Sequence, residues 1–586
     1  MSVTSVAARR VVGRADAASA AARAGAHLDL VRAPFTLPRS RILMLREGDR
    51  LRVHTSEYER SLAECVALDA LEVCDAAGAP LPITRVLPHV IEFGGGATLT
   101  FAGTTAWSVG VPAGGVAVVR WTGRAGEEAE ELRIGGRHAA SVVFSLDASR
   151  EVEFARSDRH DEHLEATRRV WLDWFANCPA VRPDLEDMAA FCWWVLGANV
   201  VELPHLGDAR AVVPSKIGYV GLWQWDAYFI AVGLRHGDPE LAREQLDLAL
   251  RFPTPEGQLP DVVHEAGILA SSDDLPAADR ETLRRAGSAV ADPSAPVPLT
   301  KPPLAAWALR KVLEADRARG DDAQIADWAR RMIATIRRSQ DWWFARSDLD
   351  GDGLPEYGHP YSSGLDDSPV FDGPLPTTTP DLAAYLVRQD LELAALVERW
   401  GTGAIAGRGP EADRAAAASA HRERAQRTLE RLLTLWDEPR GRFRSLAAGE
   451  PVDSDTIVGL MPLLTGGLPE AIVDRLITAL DDPRRFATPW PIPTVAVGDP
   501  DHDPQRMWRG PVWVNTNALV AEGLERSGHG ERARRLAERT VELVIHAGGP
   551  HEYFEPNTGE RAATATTAFG WSAALFLDLA VALSHD

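Results

Sequence analysis

The sequence predicts a mainly α protein: an (α/α)6 barrel over residues 184–586, preceded by a β-sandwich over 35–150. Three observations lead there. Up to about residue 150 the apolar residues fall in short β-prone runs divided by Gly- and Pro-rich turns, as in a sandwich. After Glu151 the apolar spacing changes to three and four residues, and roughly a dozen such segments follow, joined by aromatic and Gly/Pro loops. No short repeat of the kind that builds a solenoid appears.

The elements follow in order. Residues 1–34 read as a leader: Arg9 and Arg10 precede an Ala-rich polar stretch with no apolar signal core, so a frayed segment is expected. Within 35–150 the runs 41–45, 51–55, 98–101, 116–121 and 140–144 read as strands of an accessory domain. Residues 151–183 read as a helical linker, with helical spacing from 163 to 176. Barrel helices are expected at 184–199, 241–251, 303–318, 322–344, 381–401, 411–436, 454–464, 469–480, 514–527, 532–546 and 571–584. One more starts after the glycine turn at Gly218 and Gly221.

Composition excludes several classes. A chain of 586 residues forms more than one domain and buries a large core. A formal charge of -22 argues against binding nucleic acid, which needs clustered Lys and Arg, and disfavours polyanionic substrates. The four cysteines (Cys65, Cys74, Cys178, Cys192) have neither disulfide-scaffold nor zinc spacing and read as reduced core residues. With no membrane span in the sequence, a cytoplasmic protein is expected. Nothing in the sequence specifies an oligomeric state.

Chemistry gathers in two acid clusters that lie beside aromatics, which suits cleavage of a glycosidic bond in a small carbohydrate. The first follows Trp342-Trp343 and contains Asp366, the candidate general acid, next to Asp367. A like charge or an apolar setting would help Asp366 keep its proton; the alternative is a loop-capping acid. The second cluster contains Glu552, the candidate base that holds the attacking water. Glu555 competes for that role, although its place before Pro556 suits a turn. A solvated surface acid is the alternative for either glutamate.

Other segments support these. Asp226, in Trp223-Gln224-Trp225-Asp226, either accepts hydrogen bonds from sugar hydroxyls or caps the helix that follows. Tryptophans in loops (Trp223, Trp225, Trp490, Trp508, Trp513) suit a cleft where flat rings stack on sugars. Arg509 suits sugar hydroxyls or a loop-locking ion pair. The segment 254–262 reads as structural punctuation. Asp348, Asp350, Asp352 and Glu356 resemble the first half of a calcium loop, but loop position 12 is His359 where a glutamate is expected. A structural calcium and a metal-free Asx turn both stay open there, and the reaction itself requires no cofactor.

As an ordered set these segments resemble glycoside hydrolase family 63, with the related trehalases and the bacterial hydrolases of mannosylglycerate and glucosylglycerate. The motifs are Tyr219 with Trp223-Gln224-Trp225-Asp226, Pro302-Pro303, Asp350 to Gly358, Ser363-Gly364-Leu365-Asp366, Trp508-Arg509-Gly510-Pro511, Glu552-Tyr553, and Phe569-Gly570-Trp571-Ser572. The resemblance implies an inverting exo-acting α-glycosidase, an α-glucosidase by default, with Asp366 as acid and Glu552 as base. It places Tyr219, Trp223, Trp225 and Asp226 in the sugar pocket; Lys301, Gly364, Arg509, Trp513 and Trp571 complete the expected substrate set. It also implies that calcium can sit at 348–356. Lys301 departs from the family, which usually has glutamine before the two prolines. A lysine there implies either an anionic group on the substrate or an ion pair to an acid. Two rival readings are a sugar phosphorylase on the same architecture and a carbohydrate-binding protein without catalysis.

Overall fold

The computed structural model describes residues 16–124, 128–147, 149–207, 209–275, 296–320, 322–401 and 410–585. Asp16 caps the helix Ala17–Gly25 by accepting the Ser19 N–H at 2.8 Å. Ala20 and Ala24 are buried, and the helix packs on Glu186–Ala198. From residue 16 the expected leader is therefore docked and not frayed; alanines on one face allow the close approach.

Two antiparallel sheets follow. One orders Ile42–Glu47, Arg50–Thr55, Val66–Cys74, Val116–Thr122 and Ala129–Gly135. The other orders Val152–Ser157, Ala140–Leu146, Ala106–Val111, Thr98–Gly103, Val90–Phe93 and Ile83–Leu87. Ala117, Val119 and Trp121 are buried at alternate positions, and Trp121 meets Phe144 of the other sheet edge-on at 5.1 Å. The five expected runs all fall on strands. Val152–Ser157 extends the second sheet past residue 150; four of its six residues are exposed, so the sequence shows no apolar alternation there.

From His160 the chain is mainly helical. Gln224–Leu234 packs on Ala305–Arg319, which packs on Pro380–Trp400, and that on the 3-10 turn Met461–Thr465. The turn packs on Val514–Arg526, which packs on Gly570–Leu583, and this last helix returns to Gln224–Leu234. Around this circuit lie Pro239–Ala249, Asp322–Arg346, Pro410–Leu432 and Gly530–His546, each against a member of it. The expected helix at 454–464 is instead two 3-10 turns, Ile457–Gly459 and Met461–Thr465, because Gly459 and Pro462 break the α ladder. All four cysteines are buried and free. Among the described residues no helix is long and apolar enough to cross a membrane.

A largely buried ionic web, with Arg388 and Glu392 at its buried end, joins the circuit. Arg388 pairs with Glu522 and Glu392 at 2.6 Å each, and Lys311 reaches Glu522 at 3.4 Å and Asp578 at 3.8 Å. Trp307 donates its Nε1–H to Glu522 at 2.8 Å. Lys311 and Arg388 outweigh the burial of Glu522 and hold its carboxyl down to about 2. A depressed carboxyl contributes stability above its unfolded value, near 4.5, and loses it as pH falls toward 2. The shift corresponds to on the order of 3 kcal/mol. The melting-temperature gap between wild type and Glu522→Gln should therefore narrow from pH 4.5 to pH 2. A gap of constant width would contradict this role.

Candidate active site

One hollow opens at the N-terminal ends of four circuit helices. It is lined by Tyr219, Trp223, Trp225, Asp226, Lys301, Gly364, Asp366, Met507, Trp508, Trp513, Glu552, Phe569 and Trp571. Trp225 and Asp226 sit in the first turn of Gln224–Leu234, Trp513 precedes Val514–Arg526, and Trp571 opens Gly570–Leu583. Lys301 lies in the loop before Ala305–Arg319.

Rings form the walls. Trp508 and Trp513 stack at 3.7 Å with planes 4° apart, and Trp571 stands edge-on to Trp225 at 5.3 Å. Gly364 has φ +71, and a Cβ there would stand 2.2 Å from the Trp225 ring. Glycine is thus required both by backbone geometry and by the approach of the indole. The loop carrying Met507 and Trp508 is tied to the acid loop through Asp367, which accepts the Trp508 N–H at 2.9 Å and Arg506 Nε–H at 3.0 Å.

Glu552 is buried in the wall. Its Oε2 accepts the Thr566 N–H at 2.8 Å, its own N–H donates to Thr566 O at 2.9 Å, and the Tyr219 hydroxyl also hydrogen-bonds the carboxylate. Burial raises its carboxyl to about 7 against these hydrogen bonds, with a further upward push from the charge of Asp366. Asp366 keeps a third of its side chain exposed, while its Oδ1 is covered and accepts no hydrogen bond among the described residues. Burial raises its carboxyl, Lys301 opposes this, and Asp367 adds to it.

Beneath Asp366 lies a charge cluster. Lys301 Nζ is 3.0 Å from Asp261 Oδ1 and 3.9 Å from Asp366 Oδ1, and donates to Tyr361 O at 2.5 Å. Burial raises Asp261 to about 6 and holds Asp226 well above the usual carboxylate range, with Lys301 pulling both down. The N-cap of Gln224–Leu234 is Trp223, so Asp226 is not the cap; it lines the hollow from inside the first turn.

The expected catalytic and substrate residues all line the hollow except Arg509. Its guanidinium is ion-paired with Asp372, and its backbone O accepts the Asp503 N–H at 2.8 Å, so it fastens a loop. Of the loop tryptophans, Trp490 lies elsewhere, stacked on His546 at 4.7 Å with Arg539 over its face at 4.3 Å. Glu555 accepts the N–H groups of Asn557 and Thr558 and so holds a turn. Met507, Phe569 and Asp261 are additions to the expected set. Asp261 lies in the segment read as punctuation, and its partner Lys301 is forty residues on, so no local pattern marks it.

Carboxylate oxygens of Asp348, Asp350 and Asp352 lie within 4.8 Å of one another, and among the described residues Asp348 Oδ1 accepts no hydrogen bond, a donor set that fits a hard divalent cation. Glu356 is not in that group: it is buried and its Oε2 caps the Leu349 N–H at 3.1 Å.

These features define a glycoside hydrolase. Residues 219–572 match the family described as the mannosylglycerate hydrolase MGH1-like glycoside hydrolase domain, and the chain belongs to that family, which is related to glycoside hydrolase family 63. It is 30% identical over 417 residues to a mannosylglycerate hydrolase of Thermus thermophilus, covering 62% of this chain and 95% of that one. It is 26% identical over 443 residues to the glucosylglycerate hydrolase of Mycolicibacterium hassiacum, covering 64% and 94%. The crystal structure of a mannosylglycerate hydrolase of glycoside hydrolase family 63 from Thermus thermophilus, in complex with Tris, matches with a TM-score of 0.53 and 25% identity, covering 66% of this chain and 98% of that one.

Proposed function

We propose that the protein is an inverting, exo-acting α-glycosidase that hydrolyses an α-hexoside with a small polar aglycone. Glycerate hexosides of glucose or mannose are the first substrates to test, given the names of its relatives. The catalytic region is read as an (α/α)6 barrel, with the closed circuit of packed elements as its inner ring. The observation that carries the reading is the meeting of Asp366 and Glu552, 186 residues apart in sequence, in one ring-walled hollow. Asp366 protonates the leaving oxygen while Glu552 takes a proton from water on the opposite face of the sugar. Asp226 and the tryptophans hold the hexose. A panel of α-linked disaccharides and glycosylglycerates, with Asp366→Asn as control, tests this; no turnover of any member would refute it.

Lys301 favours the ion-pair reading over an anion-binding one, because Asp261 and Asp366 already flank its ammonium. Lys301→Gln should release the downward pull on Asp366, so the acid stays protonated to higher pH. The alkaline limb of kcat/KM should then move up by about one pH unit. A fixed limb, with a changed preference between charged and neutral aglycones, would show that Lys301 reads the substrate instead. The same engagement speaks against a phosphorylase, since among the described residues Lys301 is the only cation lining the hollow. Turnover should not depend on phosphate.

A calcium ion at Asp348, Asp350 and Asp352 would neutralise three clustered carboxylates and stiffen the loop ahead of Asp366. Adding calcium to chelated protein should raise its melting temperature with kcat/KM unchanged. An unmoved melting temperature would mark a metal-free Asx turn.

A further inference from the structure

The wall of the hollow at Trp223 is backed by a residue outside the segment 219–572 that matches the family. Tyr58 lies in the turn after strand Arg50–Thr55, in the N-terminal sheets. Its ring stacks on His264 with centroids 4.0 Å apart and planes at 5°, and tilts against Trp223 at 5.9 Å. Trp223 in turn meets Tyr219 edge-on at 5.9 Å, so a chain of rings runs from the sheets to the hollow.

The backbone around this contact is tied down. Tyr58 N–H donates to Glu265 Oε1 at 3.3 Å, and Arg41 pairs with Glu265 while donating to Ser56 O at 2.9 Å. His264 and Glu265 belong to a hairpin whose first strand, Val262–His264, pairs with Leu222–Trp223 and begins just after Asp261. Gly221 leaves room for the rings: a Cβ there would stand 2.7 Å from Val262 Cγ2, 3.0 Å from the Trp223 ring and 3.1 Å from Tyr58 Cε2.

We propose that Tyr58 is a specificity-determining positioning residue: it buttresses Trp223, fixes how far that ring leans into the hollow, and so sets which hexose face the site accepts. The N-terminal sheets thereby form part of the substrate site. The proposal rests on the reading of the hollow as a sugar site. A stacking ring held in place before the ligand arrives binds more tightly than one that must be ordered on binding. Removing the buttress weakens sugar binding and leaves the carboxylates in place.

The test measures D-glucose and D-mannose affinity by calorimetry, with kinetics on α-glucosylglycerate and α-mannosylglycerate, for Tyr58→Phe and Tyr58→Ala. Tyr58→Ala should raise Kd and KM by about three- to tenfold, unequally for the two sugars, with kcat within about twofold. Tyr58→Phe, which keeps the ring, should behave as wild type. Gly221→Ala, which crowds Tyr58 and Trp223 apart, should shift Kd in the same direction and carries the test if Tyr58→Ala does not fold. Unchanged Kd in both variants would overturn the proposal, as would an equal loss for both sugars together with an equal fall in kcat. A wild type that binds either sugar but cleaves no glycoside defeats the proposed function alone, and the Kd shift still decides the role of Tyr58.

Discussion

Glu552→Gln should lower kcat by about 10²-fold or more while KM changes little. The amide keeps the size of the side chain and can still accept the Thr566 N–H, so the wall stays intact. What it loses is the capacity to take a proton from water as the new bond forms. Azide, which attacks without deprotonation, should restore turnover and give a β-glycosyl azide. The pH profile adds a second check. As the proposed base, Glu552 acts ionised, and burial raises its carboxyl to about 7, so wild-type kcat/KM should fall about tenfold per unit below that pH. The limb should vanish in Glu552→Gln. A variant that kept both its rate and its acidic limb would remove Glu552 from the chemistry.

Asp366→Asn should cost a similar factor on natural glycosides but far less on an α-glycosyl fluoride, whose leaving group needs no proton. This contrast also separates two assignments of the pair. Burial raises both carboxyls, Glu552 to about 7 and Asp366 against the opposing pull of Lys301 at 3.9 Å, so their electrostatics alone do not assign the acid and the base. Bound sugar, by excluding water around Asp366, favours the protonated acid there. If Asp366 is the acid, fluoride hydrolysis survives Asp366→Asn and collapses in Glu552→Gln. The reverse pattern would exchange the two residues.

Much of this was legible in the sequence because its signals are local. Helices such as Gly530–His546 have one apolar stripe, and three- and four-residue spacing reveals them. Gln224–Leu234 is buried on every side and has no stripe; the glycine turn before it was its only mark. Strands such as Ala129–Gly135 and Val152–Ser157 expose most of their residues, so no apolar alternation marks them in the sequence. At the site, the aromatic and acidic motifs pointed to the walls and both carboxylates. Asp261 and Tyr58 were invisible, because each matters through partners distant in the chain: Lys301 for one, His264 and Trp223 for the other. For Arg509 the sequence left open sugar contact and a loop-locking ion pair; the ion pair is the one found, with Asp372, a partner that carries no signal of its own.

In the proposed reaction two carboxyl groups act from opposite faces of one sugar, with a single water between sugar and base. Proton NMR during the first minutes of hydrolysis of an α-linked substrate reads this directly, before the released hexose mutarotates. The β anomer should appear first. First appearance of the α anomer would mean a double displacement and would contradict the single-water arrangement of Asp366 and Glu552.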